Sequence, residues 1–246
     1  MNKIPMEKQL PLPAAGLGLL ALALRWALYA LTADSWGLLP KGHPLELLVW
    51  LISAAAFGSI LLSLRAGKGS DRYEDNFPPS FSGAAGQILA AAGILLTVLL
   101  NRPQMPGAVG ILWKLLGFAS VPCLLAAGLA RAGGKRPCFL LHITVCLFLV
   151  LHVVDHYRGW SGNPQLQDYV FALLGTMALA FFSFYLAAFE AGLGRRRILL
   201  GMGLAAVYLC LVNLARTPYP YLYLGCGAWA FTGLCAPASG GKEQAP

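Results

Sequence analysis

The chain has little charge. Only 11% of its 246 residues are Asp, Glu, Lys or Arg, against about 25% in soluble domains. So few charges cannot cover a soluble surface, which excludes a soluble globular class. Acids are the scarcer sign, 10 against 18 Lys and Arg, for a net charge of +8. No basic stripe is interleaved with aromatics, which excludes a nucleic-acid surface. Catalytic signatures are missing as well. There is no GxxxxGK(S/T) phosphate loop, no HExxH metalloprotease helix and no GxSxG nucleophile elbow. No polar stretch exceeds about twenty residues, so there is no room between the apolar runs for a soluble catalytic or receptor domain. None of the six cysteines forms a CxxC pair. All lie in or beside apolar runs and read as small packing residues.

Apolar residues fill the space left, at 58% of the chain, gathered into runs that approach or reach the ~20 residues of a membrane-spanning helix. The expectation is an all-α, polytopic integral membrane bundle in one domain, with eight transmembrane helices over 12–31, 45–64, 83–100, 108–130, 137–157, 168–193, 198–215 and 219–235. Arg25 interrupts the first run and no small-x-small cleavage site follows, so that run is read as a helix and not as a signal peptide. Ser80 or Ser82 is placed to cap the third helix. Gly83, Gly86, Ala90 and Gly93 then give that helix a flat face for close packing. Tyr219, Tyr221 and Tyr223 suit an interfacial belt, and the tail after Cys235 is polar.

Eight crossings place twelve Lys and Arg on the side of the termini and four on the other, with Arg25 and Lys114 inside helices. This positive-inside bias predicts that both termini are cytoplasmic. The triple arginine Arg195–Arg197 reads as a stop signal and a lipid-headgroup contact.

The polar residues inside the runs are the candidates for chemistry. Arg25, Glu46, Lys114 and Asp155, joined by Arg102, Arg158 and Asp168, form a collar towards the outer face. Read one way it is a substrate-binding vestibule, with the two cations holding an anion or pairing with Glu46 and Asp155. Read the other way the groups lie at headgroup level and pair among themselves. Arg25 is deepest and calls for a specific partner. His152 and His156 are four apart on one helix face, a spacing that can hold a metal ion, with His43 as a third ligand. His142 and His156 are spaced like paired haem ligands, but too few histidines exist for two haems; one haem through His43 with His152 or His156 is the remaining option. Otherwise His142 is a packed polar residue bonded to a neighbouring helix. Glu190 pairs with Arg195 or another basic loop residue, or serves in proton coupling.

The segments RYEDNFPPS, WSGNPQLQDYVFALL and FEAGLGRRR resemble parts of multi-pass membrane proteins of Clostridia-type bacteria, a resemblance that spans most of the chain. It implies a bacterial inner membrane and carries over no active-site residue. The function expected is small-molecule or ion permeation, or the membrane subunit of a transport system with a membrane or cytoplasmic partner. Alternatives are a membrane metal or haem protein using His152 and His156, and a scaffold acting through the cytoplasmic loop 65–82. No catalytic motif argues for an enzyme. No cofactor is expected under the leading reading, and the lipid bilayer is the sure partner.

Overall fold

A computed structural model describes residues 11–32, 43–66, 70–161 and 166–235; side chains at 65–66, 158–161 and 166–168 are not described. The N-terminal lysines, the turn around Trp36, the polar tail, and the side chains of Arg158 and Asp168 lie outside that set. The described chain is all-α: α1 (Pro11–Thr32), α2 (Pro44–Ala66), α3 (Tyr73–Asn76), α4 (Phe81–Leu100), α5 (Ala108–Ala132), α6 (Phe139–Ser161), α7 (Leu166–Glu190), α8 (Arg196–Asn213) and α9 (Pro220–Cys235). Seven of these, α1, α2 and α4 to α8, are long and apolar enough to cross a membrane. Their outward faces stay apolar: Leu31, Leu62, Leu99, Leu129 and Leu174 are exposed, as lipid contact requires.

The expected eighth span, α9, has 16 residues, about 24 Å of helix. It nevertheless runs the length of the core. Tyr219, just before it, meets His156 on α6 at one end, while the Gly233 carbonyl near its other end faces Arg131 on α5. α4, α5, α6, α7, α8 and α9 follow one another around a closed ring, and α1 with α2 docks on the outside of α8.

The small-residue face of α4 is spent inside the chain, against the antiparallel α9. A Cβ on Gly93 would stand 2.4 Å from the Tyr221 carbonyl oxygen, and Gly93 and Gly225 face each other across the contact. Ser80 is the cap of α4, its hydroxyl accepting the Gly83 N–H at 3.1 Å.

The connection before α4 is a strap and not a free polar loop. Tyr73, Asn76 and Phe77 are buried. Asn76 holds the turn by donating to the carbonyls of Ser70 and Arg72, both at 2.7 Å. Phe77 packs edge-on against Phe189 at 5.5 Å. The strap closes the end of the bundle that carries Arg131, Arg136 and the Arg195–Arg197 run, and Asp71 accepts the Arg196 N–H there at 2.8 Å.

Candidate functional site: a buried polar cluster at the strap end

Five helices bring polar side chains together beneath the strap. α7 ends in a Schellman turn: Leu193 N–H bonds the Ala188 carbonyl at 2.8 Å, Gly192 N–H bonds that of Phe189 at 3.0 Å, and Gly192 has φ +82°. That turn fixes Glu190 on the last helical turn, facing inward at 7% exposure. Opposite it, on the first turn of α6, is His142 at 1%. Its Nδ1 lies 2.8 Å and 2.9 Å from the two Glu190 oxygens, and its Nε2 lies 3.2 Å from Gln87 Nε2 on α4. Ser183 on α7 donates to the His142 carbonyl at 2.8 Å, pinning α6 to α7. Trp229 on α9 stacks on the imidazole, ring centroids 5.7 Å apart and planes within 8°.

Arg131, 3% exposed, supplies the positive charge. Its guanidinium lies over the Phe77 ring at 4.9 Å and reaches towards the Gly233 carbonyl at 3.5 Å, within Coulombic reach of Glu190 and Tyr73. Gly83 leaves the space, since a Cβ there would come within 2.7 Å of Arg131 Nε. Burial pushes the Tyr73 phenol up to about 12, helped by the Glu190 carboxylate and opposed by Arg131 and Arg136. Three buried polar atoms here have no hydrogen-bond partner: Gln87 Oε1, Arg131 Nε and Trp229 Nε1. A histidine with a carboxylate on one nitrogen and an amide on the other can hold a proton and pass it on.

The residues expected to bind substrate fall into separate groups. Arg25, 3% exposed, donates to the Val212 carbonyl at 3.3 Å and lies over the Phe171 ring at 4.8 Å. It satisfies a carbonyl at the C-terminal end of α8, where a cation is favoured. Glu46 is half-buried on α2 with one oxygen unpartnered. Both sit on the α1–α2 pair outside α8, whereas Lys114 and Asp155 are on α5 and α6. Lys114 is exposed and lines, with Arg102, a cavity of about 580 Å³. Asp155 is fully buried, and its two oxygens accept the Gln104 and Met105 backbone N–H groups, each at 2.8 Å.

The histidine pair is packed beside that clamp. Ring centroids of His152 and His156 are 4.2 Å apart. Trp113 donates to His152 Nδ1 at 3.2 Å, His156 Nδ1 donates to the His152 carbonyl at 2.8 Å, and Tyr219 hydroxyl bonds His156 Nε2. His43 is elsewhere, its Nδ1 accepting the Leu45 N–H at 3.2 Å at the start of α2. Among the described residues no group of three His, Cys, Asp or Glu side chains is arranged to hold a metal.

The reading of His142 as a packed residue bonded to neighbouring helices holds, and Glu190 pairs with it and not with Arg195. Gln87, Arg131, Ser183 and Trp229 went unremarked in the sequence as site residues. The one available signal was Gln87, a lone amide in the apolar α4. Comparison with known protein families, characterised proteins and solved structures finds no match.

Proposed function

We propose that the chain is a bacterial inner-membrane protein for permeation of small molecules or ions, acting alone or as the membrane subunit of a transport system. The carrying observation is the cluster of Glu190, His142, Gln87 and Arg131, sealed among five helices. Ionisable groups are costly at such positions and mark ion, proton or substrate paths when present. The small-residue face that would suit association with a partner is already covered by α9. Both termini lie on the cytoplasmic side in this reading, with the strap and the arginine-rich end facing the cytoplasm.

Purified protein in liposomes, supplied with a pooled extract of small cellular metabolites and salts, tests it. Wild-type vesicles accumulate or release at least one solute faster than protein-free vesicles, and folded Glu190→Gln loses most of that flux. Wild-type vesicles indistinguishable from protein-free ones would sink the permeation reading.

A further inference from the structure

We propose that His142, Glu190 and Gln87 form a proton-binding site, in which the imidazole gains and loses one proton at Nε2 while the Gln87 amide turns to follow it. The site's place in transport rests on the permeation reading above; its existence does not.

In the neutral ring Nδ1–H donates to the Glu190 carboxylate, and the Nε2 lone pair accepts from the Gln87 amide nitrogen. Gln87 Oε1 then faces away and is buried with no partner, an arrangement that costs free energy. A proton added from water to Nε2 forms one N–H bond and breaks none within the site. Two donors, Nε2–H and the amide NH₂, now oppose each other. A half-turn of the amide removes the conflict: Oε1 comes round to accept Nε2–H, and the NH₂ group takes the place that Oε1 held. Each protonation state thus selects one amide orientation, which makes Gln87 a two-position element.

The surroundings permit the exchange. Across from Gln87 on α5 is Gly128, where a Cβ would stand only 3.3 Å from Oε1, so the glycine leaves space for the amide to turn. Proton uptake takes the His142–Glu190 pair from one net negative charge to none. From α5, Arg131 lies within Coulombic reach of Glu190. Arg136 and Tyr73 are the other titratable or charged groups near Glu190, from the turn before α6 and from the strap. α4 and α9 present the neutral Gln87 and Trp229, and α7 adds neutral Ser183. The imidazolium gains a compensating contact on the Trp229 face, where a cation is attracted by the ring quadrupole.

That stacking supplies the readout, because an imidazolium on an indole face quenches its fluorescence. The full chain in lipid nanodiscs is titrated from about pH 8 to about pH 5, the range in which histidine switches. Wild type shows a reversible fall in tryptophan emission that includes a step from Trp229. Trp229→Phe and His142→Gln both abolish that step. Gln87→Met, close in volume but unable to accept Nε2–H, moves it to lower pH. An emission profile identical in wild type and His142→Gln overturns the proposal. So does a step that Gln87→Met leaves in place, which decides the matter if the histidine variant does not fold. Failed solute flux in liposomes would leave this titration untouched, so the two readings fail separately.

Discussion

Asp155 shows what a single buried acid does in this bundle. Its two oxygens are spent on the N–H groups of Gln104 and Met105, which tie the α4–α5 turn to α6. A hydrogen bond to a charged group is worth ~1.5–3 kcal/mol. Asp155→Ala is therefore expected to lower stability by about 3 kcal/mol, with the amide hydrogens of Gln104 and Met105 exchanging much faster. Unchanged exchange at those two amides would show that the clamp is idle. From the sequence, Asp155 and Arg25 were legible as groups needing partners. Their partners were not, because both bond backbone atoms far along the chain, and backbone carries no sequence signal. Arg131 failed to stand out for a different reason. A cation at a helix end looks like a topology mark, and its burial depends on Phe77 of a segment whose charged neighbours, Arg72, Glu74 and Asp75, mask the apolar spacing of Tyr73 and Phe77.

Between elements, the α4–α9 contact is the one that tolerates least change. The periodic glycines announced a close-packing face, and that reading holds; its partner was hidden because α9 lies more than a hundred residues downstream. The neighbour of Gly93 is a backbone oxygen on Tyr221, 2.4 Å from where a Cβ would be, so no side-chain rotation can relieve a methyl group there. Gly93→Ala is expected to cost about 1–3 kcal/mol by forcing the two helices apart. Gly58→Ala on α2, with no atom within 4 Å of its Cβ position, is the matched control and should leave thermal unfolding in detergent unchanged. Equal melting temperatures for both variants would mean that α4 and α9 yield easily. Helix boundaries were largely legible from the apolar runs; the shortness of α9 was also visible, but not that it reaches both polar ends of the core.

Across the whole molecule, the two ends are closed differently. One end is held by Asp155 and the packed histidines; the other is closed by the strap, whose Phe77 lies against Arg131 and Phe189. The strap's hold depends on pH through Tyr73. In the closed molecule burial keeps its phenol protonated up to about 12, whereas released it ionises near its ordinary value of about 10. Below about pH 10 both forms carry the proton, and Tyr73 gives closure no pH dependence there. Between about pH 10 and about pH 12 the released form binds fewer protons, so rising pH favours release and closure weakens. The melting temperature of wild type is thus expected to fall through this window. Tyr73→Phe, which keeps the ring under Arg136 and removes the ionisable group, is expected to fall less steeply. Parallel curves for the two proteins would place the alkaline loss elsewhere. Phe77→Ala separates the same element at neutral pH, since removing the ring that packs on Phe189 and Arg131 uncovers the cluster without altering any titratable group. Glu190 in that variant should react with a water-soluble carbodiimide at least about tenfold faster than in wild type, the equivalent of ~1.4 kcal/mol of lost closure. Equal labelling rates would mean that the strap rests on the bundle without sealing it.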